Sequence, residues 1–187
     1  MKPADVVLYI TSRIGTVPGR TVLQKLCYFA NVKAAAGIPF KAHYYGPYSP
    51  DVARATDSLL VFDYVDEKTE SGSLSSPWMT RRGTVITDWE RRCYNLTATG
   101  KNYWDRIPKE QREALGKADE LIAKLERATR LDARKLATLA KVHFLMQQNQ
   151  LAPTDVPGIL AAAKAEGWKM TESGVERALK TLSSLPL

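Results

Sequence analysis

Apolar residues first recur at helical spacing near the amino end. Val6, Val7, Ile10 and Ile14 fall on one face and predict a helix over 4–14. Gly15, Pro18 and Gly19 break it. Leu23, Leu26, Cys27 and Ala30 repeat the pattern, with Phe29 on its edge, and predict a second helix over 21–36. Thr21 is the expected N-cap and Gly37 the expected stop. The stretch IPFKAHYYGPY is short and aromatic, which suits a brief strand running into a turn. Ser49 then suits an N-cap, and Pro50 suits the first helical position because its missing N–H is not needed there. Asp51 lies in the first turn, where the helix dipole favours a carboxylate. A third helix is expected over 50–60, with Val52, Ala55, Thr56, Leu59 and Leu60 facing inward.

The next forty residues change period. Phe62, Tyr64 and Val65 predict a strand, and the Ser- and Gly-rich stretch 67–77 reads as a loop. Residues 85–89 and 92–96 are β-branched and aromatic in partial alternation, which predicts a hairpin. Thr97 or Thr99 caps a short helix through Trp104 that Pro108 ends. Three helices followed by a hairpin is the order of a winged helix, a helix-turn-helix variant. Beyond it, Leu115, Ala118, Ile122 and Leu125 form a stripe for docking or for helix pairing. Asp132 is the expected cap of a strong helix, and two shorter helices follow, each opening on a threonine (Thr154 and Thr171). The expected fold class is mainly α with a small β-hairpin (α+β). A winged helix-turn-helix domain over 1–106 is followed by a helical extension or bundle over 107–187.

Composition narrows the function classes. A chain of 187 residues suits one domain or two small ones. The net charge of +7 is shared by both halves, with no basic tail. Such a balance fits nucleic acid or another acidic partner without requiring either. No run approaches the roughly 18 apolar residues of a membrane span. The apolar run at 6–10 is too short for a signal peptide, so a cytoplasmic protein with no membrane partner is expected. Cys27 and Cys93 lack metal-ligand spacing and are expected to be free, buried thiols. His43 and His143 stand far apart with no metalloprotease spacing, and no nucleophile elbow or complete phosphate-binding loop occurs. The expectation is therefore no catalytic residue, no metal and no cofactor.

Two constellations remain. Arg81 and Arg82 sit near the expected hairpin tip, where a wing meets phosphates, with Arg91 and Arg92 further along. Arg54 on the third helix is a candidate DNA contact, and Lys25 and Arg20 are weaker ones. Against DNA, Asp51 and Asp57 share the outward face of that helix and repel phosphate. The second constellation is Tyr44, Tyr45 and Tyr48 around the turn Gly46-Pro47, which carries the apolar area and hydroxyls of interface anchors. Gln24 is expected to hydrogen-bond backbone in that turn.

The segments GRTVLQKLCYFA (19–30), HYYGPYSPDV (43–52) and LLVFDYV (59–65) together resemble the YwgA-like proteins and the wider Panacea (SocA-like) antitoxin-associated family. YNLTATGK (94–101) is similar to the close of many winged-helix hairpins. The resemblance covers about half of the chain. It implies a winged-helix regulator, or an antitoxin that neutralises a partner toxin, and it supplies no catalytic residues. The first expectation is a non-catalytic winged-helix regulator of transcription that binds DNA, as a homodimer through the helical half. The alternative is an antitoxin-like or adaptor module that binds a protein through Tyr44–Tyr48.

Overall fold

Two of the helices expected from the sequence are wrapped on every side. The computed structural model describes residues 1–79 and 85–187, with side chains for all of these except 74–79 and 85–88. Helix α1 (Pro3–Ile14) is buried without interruption from Asp5 to Thr11, and α2 (Arg20–Ala34) from Val22 to Ala30. A helix buried all round is a core element, not a surface one with a single apolar stripe. Its polar residues must then find partners inside. Thr11 does so by donating to the carbonyls of Val7 and Leu8. Helix α2 starts one residue earlier than expected, after Gly19, so Thr21 is inside the helix and is not its cap.

Between α1 and α2 lies a strand that the periodicity did not reveal, β1 (Thr16–Pro18). The connector after α2 leads to α3 (Pro50–Val61). There Ser49 caps as expected, its Oγ accepting from the Val52 N–H. Val52, Thr56 and Leu59 face the core. Phe62 ends this helix, 67% exposed, and does not begin a strand.

Strands β2 (Val65–Met79) and β3 (Val85–Leu96) form a long antiparallel ribbon, and β1 joins the free side of β3 to give the order β1-β3-β2. The stretch 67–77, expected as a loop, is strand. Its polar composition misleads because the side chains described beyond the root of the ribbon stand clear of the core. Cys93, Tyr94 and Val65 are buried at its root, and residues 66–73 and 89–92 are exposed or half-buried. Pairing rather than burial holds it there. Glu70 faces Arg91 in register and bonds it, and Arg92 reaches Glu67. The Trp89 indole packs over Gly72, where a Cβ would lie 3.0 Å from the ring.

Helix α4 (Ala98–Arg106) is capped by Thr97, whose Oγ1 accepts from the Gly100 N–H. A Cβ on Gly100 would sit 1.9 Å from the Tyr64 carbonyl oxygen, so only glycine permits this approach of α4 to the ribbon root. Helices α5 (Lys109–Gly116) and α6 (Asp119–Thr129) divide the expected single stripe at Gly116–Ala118. Leu115, Ala118, Ile122 and Leu125 are nonetheless all fully buried, which makes the stripe a docking face. Helix α7 (Ala133–Asn149) is capped by Asp132 as expected. The caps of α8 (Val156–Ala165) and α9 (Glu172–Leu182) are Asp155 and Thr171, so Thr154 does not open α8.

The fold is thus mainly α with a small antiparallel sheet. Its buried apolar residues form one contiguous cluster, and α2 packs against α5, α6 and α7 as well as α1 and α3. Among the described residues, no helix is long and apolar enough to cross a membrane. Cys27 and Cys93 are both free and buried.

Candidate recognition surface

The connector between α2 and α3 has little regular structure, so its backbone groups need partners from elsewhere. Helix α2 supplies them from one face. The Asn31 amide bonds both the N–H and the C=O of Ile38, at 2.8 and 3.1 Å. The Gln24 amide does the same for Ser49, at 3.1 Å each. This is the hydrogen bonding expected of Gln24, and it imitates the exchange between two paired strand residues. Between them, Lys25 extends its buried Nζ to the Pro47 carbonyl at 2.8 Å. From the far end of the chain, the Trp168 indole donates to the His43 carbonyl at 2.8 Å.

Within this frame the segment closes on itself. Lys41 and Tyr48 exchange two backbone hydrogen bonds of 2.9 Å, and the Gly46 N–H donates to the His43 carbonyl. Gly46 has φ +97° and lies against α7, where a Cβ would meet Lys141 Cγ at 3.0 Å and the Ala137 carbonyl at 3.4 Å. A side chain is therefore excluded twice, by backbone conformation and by space. Pro47 and Ser49 are buried beside it.

What the frame displays is aromatic. Tyr44 is 75% exposed and Tyr45 57% exposed, and their rings meet edge to face at 4.8 Å. Tyr48 is half-buried and stacks on His43 at 4.9 Å. Tyr44 and Tyr45 thus brace one another instead of packing on α2.

The electrostatics below the loop are unusual for an interior. Burial, assisted by the positive charge of Lys141, pushes the Lys25 ammonium down to about 8. His143 shares Nδ1 with the Tyr28 hydroxyl at 2.7 Å, and burial pushes its imidazole down to about 4. Burial also raises the Tyr28 phenol, so this pair is neutral at physiological pH. His143 is therefore a packed, bonded core residue.

The expected phosphate contacts are distributed otherwise. Lys25 is 2% exposed and occupied by Pro47, which removes it from any surface role. Arg20 is tied into the fold: its Nε donates to the Tyr94 hydroxyl at 3.0 Å and its Nη2 to Asp57 at 2.7 Å. Tyr94 in turn donates to Glu67. This explains the carboxylate of Asp57 on the outward face of α3. Arg54 is exposed and paired with Asp51. Arg91 and Arg92 are paired with Glu70 and Glu67. Arg81 and Arg82 lie outside the described residues.

Sequence reasoning missed Asn31 and Trp168. The Asn31 signal was available, since it follows Gln24 by seven residues on the same helical face. Trp168 gave none, because its partner lies 125 positions away. No protein-family model matches the chain, and no curated protein matches it either.

Proposed function

We propose that the chain is a non-catalytic recognition module that binds a partner protein through Tyr44 and Tyr45. One observation carries this reading: two adjacent exposed tyrosines stand on a loop whose backbone is held by Gln24, Lys25 and Trp168. Rigid aromatic anchors give up little entropy on binding and supply large contact area, which is the profile of interface hot spots. The pairing of Arg20, Arg54, Arg91 and Arg92 with carboxylates weakens the competing case for a phosphate surface. The resemblance to the Panacea family points to a toxin as the class of partner, with this chain as its antitoxin.

The test places a photo-crosslinking residue at position 44 and identifies the protein it captures in the host cell. The expected result is one dominant protein partner, whose binding is lost in Tyr44→Ala/Tyr45→Ala while the melting temperature is unchanged. Retention of binding by that double variant overturns the reading.

A second reading is DNA binding by a winged helix, in a cytoplasmic regulator. Its support is the order α1-β1-α2-α3-β2-β3, with the sheet order β1-β3-β2, which places a hairpin beside a three-helix unit. The contacts on this reading are Arg81, Arg82 and Arg54. A gel shift on sheared genomic DNA that is lost in Arg81→Ala/Arg82→Ala and fades steeply with salt favours it over the first.

A further inference from the structure

Helices α7 and α9 and the turn before α9 enclose a groove of about 580 Å³ on the face of the molecule next to the tyrosine loop. Five cationic side chains line it: Arg134, Lys135 and Lys141 from α7, Lys169 from the turn, and Arg177 from α9. Among the described residues, no carboxylate lines it. The spacing explains the alignment, since Arg134 and Lys141 are two turns apart on one face of α7 and Arg177 comes from the facing helix.

The bland account of such a cluster is a solvated charged face. Arg13, Arg20, Arg54, Lys68, Arg91, Arg92, Lys101, Lys109 and Lys124 all sit within ion-pair distance of a carboxylate. None of the five groove cations has such a partner among the described residues. Lys33, Lys117 and Lys180 are likewise without an ion-pair partner among the described residues, but they stand apart from one another, whereas these five converge on one groove and nine cations elsewhere are paired. Lys141 is moreover half-buried over the Trp168 ring, 5.0 Å from its centroid. The Lys141 charge also reaches Lys25 beneath the neighbouring loop, adding to the effect of burial there.

The geometry points to a binding site for a chain of directly linked phosphates. Charge density decides between ligand classes. Arg134, Lys135 and Lys141 fall within about 10 Å along the axis of α7, and Lys169 and Arg177 line the same groove. An extended acidic peptide presents same-side carboxylates only every ~7 Å, so about two face the groove. Nucleic acid brings one phosphate per nucleotide. Phosphoanhydride chains are denser than either, and the guanidinium forks of Arg134 and Arg177 match phosphate oxygens. The Thr138 and Thr181 hydroxyls already donate to the carbonyls of Arg134 and Arg177, so the cations are the main free donors. Among the described residues, no aromatic ring lines the groove to stack a base, so the phosphates, not a nucleoside, are what it grips.

Calorimetric titration of the full chain at low ionic strength tests this with inorganic triphosphate and ATP, beside an oligothymidylate and an oligoglutamate peptide. The expected result is that triphosphate and ATP both bind. Arg134→Glu/Arg177→Glu should weaken them by at least about ten-fold, and the control Lys101→Glu/Lys109→Glu should leave them unchanged. Both pairs are exposed, so circular dichroism should report an intact fold, and Arg134→Gln/Arg177→Gln repeats the test without charge reversal. Equal affinities assign the phosphate chain alone as ligand, and tighter ATP binding assigns a nucleoside polyphosphate. Absence of triphosphate binding, equal losses in both charge-reversal variants, or tighter binding of the oligothymidylate or oligoglutamate overturns the proposal.

Discussion

At the scale of single residues, the most consequential is Lys25. Its ammonium sits in the core with one carbonyl partner, and its pKa in the folded chain, about 8, lies below the ordinary 10.5. Between these two values the unfolded chain keeps a proton that the folded chain has released, so stability rises with pH across that window. Below about 8 the cost of the buried charge is present in full. Cys27, buried and raised, acts in the opposite sense at alkaline pH, so the difference between two proteins isolates the lysine. Wild type minus Lys25→Met should gain about 3 kcal/mol from pH 8 to 10.5. Parallel denaturation curves for the two proteins would disprove the assignment. None of this is legible in the sequence, which offers Lys25 only as a weaker candidate phosphate contact. A lysine next to an apolar stripe looks the same whether its head reaches water or a carbonyl. Gln24 was legible, because an amide beside the stripe has few other ways to be satisfied.

At the scale of elements, helix starts were the clearest signals. Ser49, Asp132 and Thr171 each cap the helix that follows, since a short polar side chain before an apolar period solves a local problem. The ribbon was the opposite case. Thr, Ser and Glu over 67–77 read as loop because strand composition normally reports burial, and this pair of strands is stabilised by cross-strand pairing instead. The three-residue strand β1 was too short to show any period. The connector depends on a helix for its backbone bonds, which gives a sharp expectation for Gln24→Leu. That change leaves the buried Ser49 N–H without a partner, at roughly 1–3 kcal/mol, while the Ser49 carbonyl keeps the Ala53 N–H. The melting temperature should fall by at least about 2 °C, and an unaltered value would refute the clamp.

At the scale of the whole molecule, α2 is the hub. It is buried on all sides because α1 and α3 cover part of it and α5, α6 and α7 cover the rest. A fragment of residues 1–106 keeps the first set and loses the second, exposing Tyr28 and Phe29 where they meet His143 and Phe144. Such a fragment should be aggregation-prone and lack a cooperative thermal transition, whereas the full chain should melt in one. A cooperative, monomeric 1–106 would show that the amino-terminal core suffices alone. The sequence indicated mainly helical content and a hairpin, but periodicity reports which face is apolar, not which distant helix covers it. The tyrosine loop depends on the same long-range order. Synthesis proceeds from the amino end, so residues 43–48 leave the ribosome well before Trp168 exists to donate its indole proton to His43. The last of the bonds that hold the aromatic pair therefore forms only after Trp168 has been translated, and on the proposed reading a copy truncated before it should bind the partner more weakly.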